Sequence, residues 1–174
     1  MSEHGLPNNP QVTTAELAAL HDSVWHWARS LVGDRTVADD VVQRAYVEIV
    51  AGTAHFDGRS QLKTWLYDVV RNVARSHLRT AQRELALVRD YANSAEHQPS
   101  SEQIRNQSEE PTLAHAIAAL PSRQKEVLEL VVYREFTLEQ SAQIIGISVG
   151  TVRTHYHRAK EAVGKWLEQG GVND

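Results

Sequence analysis

Residues 137–163 read TLEQSAQIIGISVGTVRTHYHRAKEAV, and this stretch decides the fold. Leu138, Ala142 and Ile145 recur at three- and four-residue steps, so they line one face of a helix that breaks at Gly146. Thr137 with Gln140 three residues later makes a capping box at its start. Val149, Val152, Tyr156, Ala159 and Val163 repeat the helical spacing, and Ser148 is placed to cap this second helix. Ile147 sits where it can plug the gap between the two, and small Ala142 permits the close approach that a helix-turn-helix needs. Gly150, Thr151, Arg153, Thr154, His157 and Arg158 are left pointing outward, a set of donors suited to base edges and phosphates in a major groove. A helical hairpin with a solvated face has the same spacing, so the rest of the chain has to decide between them.

N-terminal to this motif lies a long helix starting near Gln61. Leu62, Trp65, Leu66, Val69 and Val73, with the stem of His77 or Leu78, form its apolar stripe, while Arg71, Arg75, Arg79 and Arg83 recur every four residues. Like charges at that spacing repel by a few tenths of a kcal/mol per pair, roughly, and an anion relieves the repulsion. A ladder of arginines one turn apart matches a nucleic-acid backbone, with Asn72 and Ser76 beside it as neutral hydrogen-bonding groups.

Two shorter helices precede it. Leu17, Leu20, His21, Val24, Ala28 and Leu31 make one stripe, closed by Gly33; of Trp25 and Trp27, which cannot face the same way, one is expected to be partly exposed. Thr36 with Asp39 is expected to cap the next helix, which buries Val41, Val42, Ala45, Tyr46 and Ile49 and turns Asp40, Gln43, Arg44, Val47 and Glu48 outward. After Gly52 comes a loop, residues 53–60, that carries Phe56 and Gly58. Beyond the long helix, residues 93–111 are polar, acidic and proline-bearing, the composition of a linker. Pro111 suits the first turn of a helix holding Leu113, Ile117 and Leu120, and Pro121 and Ser122 start the next. No segment alternates with period two for long enough to suggest a sheet, so the class is all-α: two small helical domains at 14–92 and 112–168, joined by a flexible acidic linker. Residues 1–13 and 169–174 read as tails.

Charge is segregated. The net charge is -4, yet the stretch from Arg59 to Arg89 carries seven basic residues against Asp68 and Glu84, and the linker is acidic. Such separation implies local partners of opposite sign. The absence of cysteine excludes a disulfide framework and a thiolate metal site. No apolar run approaches a membrane span and residues 1–13 lack the apolar core of a secretory signal, so the expected compartment is the cytoplasm. His155 and His157 project about 200° apart on one helix, His21 and His26 are poorly placed for a shared ion, and no phosphate-loop or nucleophile-elbow signature occurs. No enzyme, metal or cofactor is expected.

Taken together, the chain resembles an extracytoplasmic-function (ECF) sigma factor from Leu20 to Leu167, apart from the linker. DDVVQRAYVEIV, residues 39–50, is similar to the family's region 2.2 helix; FDGRSQLKTWLYDVVRNVARSHLR, residues 56–79, to regions 2.3 and 2.4; and residues 120–163 to region 4. The resemblance implies bacterial core RNA polymerase and promoter DNA as partners. Asp40, Gln43, Arg44 and Glu48 would meet the β′ clamp helices. Phe56, Arg59 and Lys63, with Asn72 and Ser76, would take up the unpaired -10 strand, whose phosphates Arg71, Arg75 and Arg79 would hold. Ser148, Gly150, Thr151, Arg153, Thr154, His157 and Arg158 would face the -35 groove, and the opposite face of region 4 would hold the polymerase β flap. An anti-sigma factor, often membrane-anchored in this family, is a further implied partner. Arg44 stands where the family usually has an acid, which implies an altered charge match with polymerase; Asp68 stands where arginine is common and Ser76 where Asp or Asn is common, which implies an atypical -10 preference; Ser141 stands where an apolar residue is usual, so its hydroxyl needs a partner or solvent. A helix-turn-helix regulator that acts without polymerase is the rival reading; it leaves the arginine ladder without a task.

Overall fold

The computed structural model describes residues 5–94 and 112–168; most of the expected linker and the C-terminal tail, with residues 1–4 and Pro111, lie outside them. Helices α1 (Thr14–Val32), α2 (Arg35–Ala51) and α3 (Leu62–Ser94) form the first unit. The second contains α4 (Leu113–Ala118), α5 (Ser122–Leu128) continuing through a π-helical turn (Glu129–Tyr133), α6 (Leu138–Ile145) and α7 (Val149–Glu168). Among the described residues no strand forms; Leu6 and Asn9 make an isolated bridge.

Local chemistry sets the helix ends. Thr13 and Glu16 build a capping box at the start of α1, and Gly33 ends it at φ 78°. Asp34 follows at once as the cap of α2, accepting from the Val37 amide at 3.0 Å. The cap expected at Thr36 is therefore corrected, and Asp39 instead accepts the Trp25 indole N–H. Trp27 is fully buried and Trp25 only partly. His21, read from spacing as part of the α1 stripe, is exposed and pairs with the Tyr46 hydroxyl at 3.2 Å.

Residues 5–13 correct the expectation of a flexible tail. Backbone bonds from Leu6 N to Val12 O, Asn9 N to Leu6 O and Val12 N to Asn9 O fold them into a tight loop, and Asn9 and Val12 are buried.

The helical hairpin of the opening stretch forms as its sequence dictates. Thr137 and Gln140 make the capping box, Gly146 closes α6 at φ 72°, and the Ser148 hydroxyl accepts from the Thr151 amide at 3.1 Å. Ser141 is buried and its hydroxyl has no hydrogen-bond partner among the described residues.

The two units pack on one another along α3. Phe136 is buried against Tyr67, with ring centroids 4.8 Å apart, and the Lys63 ammonium lies 4.7 Å from the Phe136 ring centroid while donating to the Arg134 carbonyl at 3.4 Å. Gln140 donates to Gln61 at 3.1 Å, and Arg71 bonds Glu126 at 3.1 Å. Burial therefore wraps around α3: Leu66, Val70, Val73 and Ala74 are joined by Thr64, Tyr67 and Arg71.

Candidate nucleic-acid interface

Lys63, Tyr67, Arg71, Arg75, Arg79 and Arg83 lie on one i, i+4 line of α3, each about 6 Å further along the axis. The second unit covers the first half of this line and leaves Arg75, Arg79 and Arg83 exposed. Arg71 is thus a correction to the expected open ladder. Its side chain is only 2 % exposed and its guanidinium faces the Glu126 carboxylate, which also takes Arg123 at 2.9 Å. Burial pulls the Arg71 guanidinium below its ordinary value and Glu126 draws it back up, so the charge is held by its partner.

Beside the exposed arginines, the Asn72 amide donates to the Asp68 carboxylate at 3.0 Å. Burial raises the Asp68 carboxyl above its usual range, partly offset by the Asn72 bond and by Arg71. Ser76, one turn beyond Asn72, lines the edge of a groove of about 320 Å³ between α2 and α3 that is also lined by Asp40, Arg44 and Glu48. Arg44 and Glu48 pair at 3.5 Å, and exposed Gln43 lies outside that lining.

The loop ahead of α3 has a buried base and an exposed tip. Phe56 is 8 % exposed and packs on Trp65 with centroids 5.2 Å apart, so its ring anchors the loop instead of being displayed, contrary to the expected contact with a base. Asp57 bonds the Arg59 amide and pairs with its guanidinium at 3.2 Å, leaving Arg59 at the surface.

On α7 Gly150, Thr151, Arg153, Thr154, His157 and Arg158 are all exposed, as is Ser148 just before it. Some of their polar atoms are already set. Ser148 and Thr151 hydroxyls bond at 2.8 Å, Thr154 donates to the Gly150 carbonyl at 3.0 Å, and His157 lies 3.7 Å from Glu161. Arg153 and Arg158 supply positive charge between them, so the face combines oriented hydroxyls with exposed guanidinium groups. Asn9, Glu126 and Phe136, which shape these surfaces from elsewhere, carry no periodic or motif signal in the sequence. Among the described residues no cluster of His, Asp and Glu is arranged to hold a metal ion.

Comparison with known proteins gives this arrangement a family. Residues 17–84 match the Sigma-70 region 2 model and residues 112–163 match that of Sigma-70, region 4. The ECF RNA polymerase sigma factor EcfG of Rhodopseudomonas palustris is 32 % identical over 160 residues, covering 91 % of this chain and 87 % of the relative. The chain belongs to the ECF RNA polymerase sigma factors. The ECF sigma factor SigL of Mycobacterium tuberculosis is 28 % identical over 169 residues, covering 91 % of this sigma factor and 92 % of SigL. The sigma factor RpoE of Bartonella quintana, solved as a co-crystal with the anti-sigma factor NepR, superposes with a TM-score of 0.68 at 26 % identity, over 88 % of this chain and 95 % of that one. CnrH, solved with the cytosolic domain of CnrY, shares the fold with a TM-score of 0.61 at 23 % identity, over 89 % of this chain and 86 % of that one. Both matched regions lie in one chain, so the protein is a polymerase-associated sigma factor and not a stand-alone helix-turn-helix regulator. The family consists of transcription regulators rather than catalysts. Among the described residues no helix is long and apolar enough to cross a membrane.

Proposed function

We propose that this sigma factor brings core RNA polymerase to promoters through two separate DNA-reading faces and is held closed until polymerase engages it. Exposed Arg75 and Arg79 hold phosphates of the unpaired -10 strand, with Asn72, Lys63 and the Arg59-bearing loop tip meeting its bases. Arg153, Thr154, His157 and Arg158, with Ser148, Gly150 and Thr151 at the start of α7, read the -35 element. Asp40, Arg44 and Glu48, on the α2 groove, and Gln43 meet the β′ clamp helices, and region 4 rests on the β flap. The compartment is the cytoplasm, and an anti-sigma factor, anchored to the membrane or free, restrains the protein there.

One observation carries this reading: the basic line of α3 is divided, its first half occupied by region 4 and its second half open. Glu126 gives Arg71 the anionic partner that a phosphate would otherwise be, and Phe136 covers Lys63. Engagement of the whole -10 strand therefore requires the two domains to separate. A partner that favours the separated form supplies the needed free energy through its differential affinity.

The test is initiation by the reconstituted holoenzyme from a library randomised at both elements. Asn72→Ala changes the preferred -10 bases and keeps the -35 preference, while Arg79→Ala lowers output evenly across -10 sequences. Unchanged profiles for both variants would remove α3 from -10 recognition.

A further inference from the structure

Asn9 is a buried polar side chain that neither the helix pattern nor the DNA-facing surfaces account for; it is 1 % exposed. Its amide nitrogen donates to the Ile49 carbonyl at 2.6 Å and to the Ala54 carbonyl at 2.9 Å, and its amide oxygen accepts from the Phe56 N–H at 2.8 Å. One side chain thus satisfies backbone groups at the C-terminal end of α2 and along the first half of the 53–60 loop. Helix ends and buried loops leave such groups without internal partners, and each unsatisfied one costs stability.

The surrounding residues support the same loop. Asn8 donates to the Val50 carbonyl at 3.0 Å. A Cβ on Gly52 would lie 2.7 Å from the Asn8 Cβ, and one on Gly58 would lie 3.0 Å from the Gln11 amide oxygen, so Asn8 packs on the end of α2 and Gln11 on the loop. The three backbone bonds within residues 6–12 hold Asn9 in place on the other side. Phe56, fixed by Asn9 at its N–H and by Trp65 at its ring, then sets where the tip at Asp57–Arg59 is displayed.

We infer that Asn9 is a positioning residue for -10 recognition: it fixes the conformation of the 53–60 loop from the N-terminal segment, without itself touching DNA. This rests on the reading of that loop as part of the -10 face. A loop released from Asn9 samples more conformations, and discrimination between bases falls because fewer of them present the tip in register.

The test uses the full chain assembled with core polymerase and a library randomised at both promoter elements. Asn9→Ala is expected to lower -10 base discrimination about tenfold, equivalent to about 1.4 kcal/mol. The -35 profile and the affinity for core polymerase stay as in the parent. Hydrogen exchange provides the second readout: the Phe56 amide loses protection while amides of α1 and α3 keep theirs. Asn9→Asp retains the acceptor for Phe56 but sets a carboxylate oxygen against two carbonyls, and it follows Asn9→Ala. Arg59→Ala at the loop tip separates the two ideas. If Arg59→Ala alters -10 preference and Asn9→Ala does not, the role of Asn9 is overturned and the loop reading stands; if neither alters it, both fall. Should Asn9→Ala not fold, Asn8→Ala at its exposed site must shift -10 preference in the same direction by a smaller factor, and an unchanged profile there would reduce Asn9 to a purely structural residue.

Discussion

Replacing Glu126 by alanine should open the molecule without unfolding it. Arg71 is 2 % exposed and Glu126 15 %, and the pair lies where α5 meets α3. Removing one partner of a buried ion pair costs about 3–5 kcal/mol because the other charge is left without compensation. Two features place this pair below that range: Glu126 is not fully buried and shares its carboxylate with Arg123, which is 35 % exposed. An estimate of about 2–3 kcal/mol follows, or roughly 30- to 150-fold in an equilibrium constant. The penalty exists only while Arg71 is covered. Separation of the two domains returns the guanidinium to water, whereas α3 keeps its packing on α1 and α2 through Leu66, Val70 and Val73. The chain has no cysteine, so dye pairs at cysteines introduced on exposed Ala51 and Lys165 report the inter-domain distance with no background labelling. The Glu126→Ala variant should show a lower transfer efficiency than the parent, with unchanged helix content, and should bind core polymerase more tightly by up to the same factor, since less free energy is spent on opening. Unchanged transfer and unchanged polymerase affinity would show that this contact does not hold the domains together.

Ser141→Ala should stabilise the protein by about 1 kcal/mol in a denaturant titration, because the buried hydroxyl has no partner and alanine leaves none to satisfy. Asp68 has a folded-state pKa raised by burial above the ordinary 3.8, so the native state holds its proton more tightly than the unfolded chain. Stability contributed by this group is full below 3.8 and is lost as pH rises through the folded value; Asp68→Asn should therefore gain over the parent as pH climbs through that window and keep the gain at neutral pH, as measured by unfolding across pH. Arg153→Ala should weaken binding to the -35 element by about 1–3 kcal/mol if it makes a bidentate base contact, measured by competition among -35 sequences with the holoenzyme; equal loss on every sequence would make it a phosphate contact.

What the sequence disclosed depended on the range of the interactions involved. The helix-turn-helix was legible because its determinants are local: the Thr137–Gln140 box, Gly146 and Ser148 act within a turn of where they stand. Local rules were ambiguous where two caps competed. Thr36 and Asp39 satisfy the capping pattern, but Asp34 follows the left-handed turn at Gly33 directly and Trp25 takes Asp39. Periodicity marked one apolar stripe of α3 and could not foretell the second, because Tyr67 and Arg71 are buried by a unit whose Phe136 and Glu126 lie more than fifty residues away in sequence. The same limit hid Asn9: a polar residue between prolines reads as tail, and its three partners are forty or more residues further on. The α7 surface, by contrast, is exposed at every position that the spacing had turned outward.

Run-off transcription with purified core polymerase on a library randomised in two spaced windows asks whether this one chain selects promoters through two elements. Transcripts that start only when this protein is added, from templates sharing a -35 and a -10 element at fixed separation, are the predicted result. Tight binding to core polymerase with no template selection, or selection through one element alone, would rule out two DNA-reading faces in one chain.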